Sequence, residues 1–295
     1  MTSIKANGIT IEYDTFGDRA GRPLLLIIGL GLQLTRWEEE FCRELADRGH
    51  FVIRFDNRDV GLSTHFDQAG LPRLQEVMAA AARGERVQAP YTLDDMADDA
   101  VGLLDGLGLQ QAHVCGVSMG GAIAQTMAIR HPARLLSLIS IMSGTGDPAE
   151  PRARPEAMAA LLAPAPVERE ANIEHTIKMQ RIIGSPGFPL NEQDARERVA
   201  RAYGRAFDPA GVARQMTAVL AHGDRKPGLS SVRVPTLVIH GSSDPLVPVE
   251  AGYDTAEAVP GAEILVIEGM GHELPKGAWP RIIEAVSAFT AKAQR

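Results

Sequence analysis

Apolar positions along the chain follow two rhythms. Short, nearly continuous runs recur at Leu24–Ile28, Phe51–Phe55, His113–Val117, Leu135–Met142, Thr236–Ile239 and Ile264–Ile267. Runs of this kind suit strands covered on both faces, as in a parallel sheet. Ile9–Phe16 alternates instead and predicts an early, partly exposed strand. Between the runs lie helical patterns at Trp37–Arg48, Leu93–Leu107, the segment from Ser118 to His131, and Ala278–Ala291. Thr92, with Asp95 three residues later, reads as a capping box at the start of the second helix. Pro132 ends the third. Strands alternating with helices imply an α/β fold with a mostly parallel, doubly wound sheet and right-handed crossovers.

The rhythm breaks once. From about Gly144 to Val232 no buried-strand pattern appears, and Pro, Ala, Arg and Glu dominate. Met158–Leu162, Ile173–Ile183, Gln193–Tyr203 and Val212–Ala221 are the helical pieces. The expected division is therefore a core of residues 1–143 and 233–295 with a helical cap over 144–232. Met158, Met179, Phe188, Tyr203, Phe207 and Met216 of the cap suggest an apolar pocket.

Composition narrows the partners. A formal net charge of −7 lacks the basic face a nucleic acid needs, and an anionic membrane surface is disfavoured for the same reason. No window is apolar for long enough to span a bilayer. The N-terminus lacks the basic patch and apolar stretch of a signal peptide. Two unpatterned cysteines, Cys42 and Cys115, suit a reducing compartment, so a cytoplasmic location is expected. No cysteine–histidine zinc pattern or nucleotide fingerprint is evident, so neither a metal nor a cofactor is expected. Asp94, Asp95, Asp98 and Asp99 read as a solvated helix face near a capped N-terminus rather than a metal site. Self-association is left open.

The chemistry centres on "CGVSMGGAIAQ", residues 115–125, where one serine stands among three glycines. Glycine inside regular structure costs up to ~1 kcal/mol relative to alanine, so the cluster needs a reason. Gly116-Val117-Ser118-Met119-Gly120 follows a buried-strand run and opens a helix of small residues, which is the context of a nucleophile elbow. A serine hydroxyl is a poor nucleophile at neutral pH and needs an imidazole oriented by a carboxylate. Of eight histidines, only His272 sits in a glycine-flanked loop, "EGMGHELP", just beyond an apolar run. The carboxylate expected is Asp244 in "VIHGSSDPLVP", with Asp147 in "SGTGDP" as its competitor. Developing negative charge needs donors, and the backbone amides of Met119 and of Leu30 in "LLLIIGLGLQ" are expected to supply the oxyanion hole and to touch substrate. Ser118, Asp244, His272 and Leu30 each follow the carboxyl end of a predicted strand, and in an open parallel sheet those ends share one rim.

On these residues the chain resembles the α/β-hydrolase family over essentially its whole length. The order Ser…Asp…His, the elbow, "HGSSDPLVP" and "GMGHELP" look like the family's landmarks. Within it, "RFDNRDVGLST", "HVCGVSMGGAIAQ" and a helical cap resemble capped bacterial esterases similar to anthracycline methylesterases. The wider family resemblance, in which Phe55 to Ser63 looks like the loop after another central strand, implies mainly structural roles for Asp56, Arg58 and Gly61. One departure puts the oxyanion loop's shape in question: many members carry His-Gly where this chain has Ile28-Gly29. The expected activity is hydrolysis of small to medium hydrophobic carboxylic esters through an acyl-enzyme. The partner expected is thus a small-molecule ester. The same triad serves carbon–carbon bond hydrolysis or cofactor-free perhydrolysis, and a ligand receptor with little turnover is the reading from a different class.

Overall fold

Every apolar run becomes a strand of one eight-stranded sheet in the computed structural model, which describes residues 2–293. The strands are β1 (Thr2–Ala6), β2 (Ile9–Phe16), β3 (Arg22–Ile27), β4 (His50–Phe55), β5 (Ala112–Val117), β6 (Leu135–Ile141), β7 (Thr236–Gly241) and β8 (Glu263–Ile267). Their order is β1-β2-β4-β3-β5-β6-β7-β8. β1 and β2 pair antiparallel, as do β2 and β4; all other pairings are parallel. The apolar pattern misses β1 because only Ala6 of that edge strand is buried. A two-residue turn, Asn7-Gly8 with φ of 47° and 78°, folds it onto β2. Positive φ at both positions matches the right-handed twist of a hairpin.

The helices are α1 (Glu39–Asp47), α2 (Leu74–Ala82), α3 (Leu93–Gly106), α4 (Met119–Arg130), α5 (Pro155–Leu162), α6 (Arg169–Ile183), α7 (Glu192–Arg205), α8 (Pro209–His222), α9 (Lys226–Leu229), α10 (Val249–Ala258) and α11 (Trp279–Ala293). Alternation along β3 divides the core. Leu25 and Ile27 join Leu103 of α3 and Ile123 of α4 on one face. Leu24 and Leu26 join Phe41 of α1 and Ile282 of α11 on the other. Each such fully buried side chain contributes roughly 1.5–3 kcal/mol. A strand sealed on both sides moves little, which is what a precisely aimed loop at its end requires.

Between β6 and β7 the chain forms α5 to α9 and no strand. All four helices predicted here begin earlier than the apolar periodicity places them: α5 opens on Pro155 in its first turn, and side-chain caps rather than buried residues start the other three. Glu168 accepts the amides of Glu170 and Ala171, Asn191 that of Asp194, and Asp208 that of Gly211. Helix α2 has no buried residue and so leaves no periodic trace. The loop after β3 closes a short 3₁₀ turn at Leu34–Arg36, so α1 starts at Glu39 and not at Trp37.

Candidate active site

Ser118 sits between β5 and α4 with φ 55° and ψ −120°, a conformation that side chains rarely adopt. The glycines around it answer to close approach. A Cβ on Gly116 would stand 2.0 Å from the Gly120 carbonyl oxygen, and one on Gly120 would stand 2.1 Å from that of Ile27. The Ser118 amide donates to Ile141 O at 2.9 Å, and its carbonyl accepts from Gly121 and Ala122, which fixes the turn at both ends.

His272 projects from the loop after β8. Helix α6 and the residues behind it hold that loop: the His272 amide donates to Ile183 O at 2.7 Å, and the Gly271 amide to Ser185 Oγ at 2.9 Å. The imidazole Nε2 lies 3.0 Å from Ser118 Oγ, and Nδ1 lies 2.7 Å from Asp244 Oδ2. An ionised carboxylate only accepts, so Nδ1 carries the proton and Nε2 is free to receive one. Asp244 is buried, and its other oxygen accepts the amides of Leu246 at 2.9 Å and Val247 at 2.8 Å. A buried charge with three donors is compensated. The competitor Asp147 lies away from this group; the Ala149 amide and Lys226 hold its carboxyl below the ordinary range.

The loop after β3 lies against the serine: a Cβ on Gly29 would be 3.3 Å from that of Ser118. Among the described residues the Leu30 and Met119 amides donate no intramolecular hydrogen bond. The loop's shape is set by buried polar side chains. Asn57 Nδ2 donates to Ile28 O at 3.0 Å, Asp56 Oδ1 accepts from Leu34 N at 2.7 Å, and Gln215 Oε1 accepts from Gly31 N at 2.8 Å. Asp56 is singled out in the "RFDNRDVGLST" stretch; Asn57, beside it, is not. Gln215 left no signal, because a glutamine on a helix is usually exposed.

Asp56 is also paired with Arg205 of α7 at 2.7 Å, and a Cβ on Gly61 would strike its Oδ2. Arg58 grips Asp99 with two bonds of 2.6 and 2.7 Å and lies 5.0 Å from the ring centres of both Phe66 and Tyr91. The solvated-face reading of the acidic helix therefore fails at one position. Asp94 and Asp98 face Arg130 and Asp95 caps the helix, but Asp99 is buried under Arg58 and Asn7. Asp59, His65 and Asp208 form a cluster of metal-ligand type, and the Arg214 guanidinium lies among its carboxylates, 2.8 Å from Asp59 and 3.2 Å from Asp208.

The six apolar residues expected to line a pocket are all half-buried. Phe188 packs on the α1–α11 core, and Tyr203 stacks on Phe207 with ring centres 4.9 Å apart. A cleft of about 360 Å³ runs beside the loops that carry Asp244 and His272, lined by Ser243, Pro245, Glu273, Ser185, Gln180 and Arg154 among others. No helix among the described residues is long and apolar enough to cross a membrane.

The alpha/beta hydrolase fold family profile matches residues 22–276. The chain belongs to this family. As an α/β-hydrolase it is similar to the rhodomycin D methylesterase DauP of Streptomyces sp. strain C5, at 31% identity over 98% of each chain. It is also similar to the rhodomycin D methylesterase DnrP of Streptomyces peucetius, at 32% identity over 97% of this chain and 96% of that one. Among solved structures, a thermophilic esterase from Thermogutta terrifontis superposes with a TM-score of 0.75, 24% identity and full coverage of both chains. The meta-cleavage product hydrolase CumD of Pseudomonas fluorescens IP01 gives 0.77 at 21% identity, covering 99% of this chain and 98% of that one. These likenesses in structure extend the fold of the α/β-hydrolase core to the whole described chain.

Proposed function

We propose that this α/β-hydrolase is a serine carboxylesterase acting on small to medium hydrophobic esters. The observation that carries the reading is the continuous relay Ser118 Oγ–His272 Nε2–His272 Nδ1–Asp244 Oδ2, with spacings of 3.0 and 2.7 Å. His272 takes the hydroxyl proton as Ser118 Oγ attacks the ester carbonyl. Asp244 holds the imidazole in the Nδ1–H tautomer and stabilises the imidazolium. The amides of Leu30 and Met119 receive the oxyanion. As the tetrahedral adduct collapses, His272 returns the proton to the departing alcohol, leaving an acyl-Ser118. Water then attacks the acyl carbon, His272 takes its proton, and the acid and Ser118 are released.

Helices α5 to α9 act in this reading as a cap that completes the acyl or alcohol pocket. The near full-length similarity to two methylesterases favours ester over carbon–carbon cleavage. The test is a panel of nitrophenyl and methyl esters varying acyl and alcohol lengths separately, run beside a ring-cleavage product and a peracid assay. Ester turnover that disappears in Ser118→Ala is expected. Wild-type turnover in that variant overturns the proposal, and activity only on the ring-cleavage product moves the chain to the second reaction class.

A further inference from the structure

A second histidine lies behind the acid. His240, the penultimate residue of β7, is fully buried, and its Nε2 lies 2.9 Å from the Val247 carbonyl oxygen. A carbonyl only accepts, so Nε2 carries the proton of this ring. Val247 is the residue whose amide donates to Asp244 Oδ1 at 2.8 Å. One peptide segment thus faces the catalytic acid with its N–H and the second histidine with its C=O. The same Nε2 also lies 3.8 Å from Asp244 Oδ2, the oxygen that receives His272. The other ring nitrogen, Nδ1, is buried with no hydrogen-bond partner. Helix α10 comes so close that a Cβ on Gly252 would stand 2.5 Å from Nδ1.

A buried polar atom without a partner costs about 1–3 kcal/mol, and an apolar side chain in its place would carry no such atom. An imidazole retained under those terms is serving through its one satisfied nitrogen. We infer that His240 is a positioning residue for ester cleavage: its Nε2–H holds the turn 244–247 closed, so that Asp244 presents Oδ2 to His272. The inference rests on the roles proposed above for Ser118, Asp244 and His272. Burial holds the His240 ring below the ordinary imidazole range, and an Nδ1 proton would find no acceptor, so the ring stays neutral. The titratable groups facing it are Asp244, His272 and Glu250 of α10.

The experiment compares His240→Gln, His240→Asn and His240→Phe with wild type and Ser118→Ala, using the nitrophenyl ester turned over best. Gln reaches its amide nitrogen to about the Nε2 position, whereas Asn stops about one bond short, near Nδ1. Misplacing a catalytic group by about 1 Å costs on the order of 10²-fold. The expected result is a kcat within about threefold of wild type for Gln, and a kcat lowered at least about tenfold with little change in KM for Asn and Phe. The acid limb of the kcat/KM profile should move to lower pH in Asn and Phe, because His272 loses part of the carboxylate's pull, and stay in place in Gln. Equal impairment of Gln and Asn overturns the inference, as does an unaltered kcat in Asn. Gln and Asn are both polar and of similar bulk, so the comparison survives if Phe does not fold. An active Ser118→Ala would instead defeat the parent reading.

Discussion

Gln215 on α8 accepts the Gly31 amide proton at 2.8 Å and donates to Arg58 O at 2.7 Å, so one buried amide joins a helix between β6 and β7 to both loops beside the serine. Many relatives implied by the sequence resemblance use a histidine at the start of this loop; here the loop is braced from its far side. Gln215→Leu leaves the partly buried Gly31 N–H and the buried Arg58 C=O without their partner, the second at about 1–3 kcal/mol. It is expected to lower the melting temperature and to reduce kcat about tenfold or more by freeing the Leu30 amide from its aim. Thermal denaturation and steady-state kinetics on one ester check both effects.

The two acids weighed from the sequence separate cleanly. Asp244→Asn removes the charge facing His272 and is expected to cost on the order of 10⁴ in kcat. Asp147→Asn breaks only a partly exposed contact with Lys226 and is expected to leave kcat within about twofold. Parallel assays of the two variants decide between them.

Gly120→Ala places a methyl group 2.1 Å from the Ile27 carbonyl oxygen, a backbone atom that cannot give way. Overpacking of this kind costs about 1–3 kcal/mol or more and forces α4 away from β3. Loss of soluble protein or a marked fall in melting temperature is expected. Gly204→Ala, inside α7 with open space around its position, is the matched control and is expected to melt at or slightly above wild type, since alanine is the better helix former.

Acid should destabilise the fold from the opposite end of the sheet. His113, at the start of β5, is buried with Nδ1 on Ser137 Oγ at 2.8 Å; burial, then His50 and Arg22, lower it from 6.5 to about 4. The unfolded chain takes up this proton first, so the contribution is fully present above pH 6.5 and is lost as pH falls towards 4. The whole span is worth on the order of 3 kcal/mol. Urea midpoints measured between these limits should fall less steeply in His113→Gln than in wild type.

How far the sequence spoke depended on burial and its periodicity. β3, β5, β7 and the loops at their ends were legible because a strand covered on both faces leaves an unbroken apolar run, and because glycine marks close approach. The hairpin turn Asn7-Gly8 was written as plainly, yet β1 was missed because only Ala6 of that strand faces the core. Asp99 was misread for a related reason: helical spacing gives a residue's face, but not that an arginine from the loop after β4 will cover it. Gln215 and His240 act through contacts with residues distant in the chain or across a turn, and no local pattern announces them. Ser118, Asp244 and His272 were found together because topology, and not adjacency, unites them.

The backbone at Ser118 has one more consequence. Its torsion angles are comfortable only for a residue with no side chain, and the serine is held there by its neighbours at a cost of about 1–3 kcal/mol. Two variants expected to lose turnover can therefore be told apart by heat. Ser118→Ala keeps the β-carbon and its discomfort, whereas Ser118→Gly relaxes, and the glycine variant is expected to melt several degrees higher. A single peptide unit thus holds back resilience that a glycine would return to the fold.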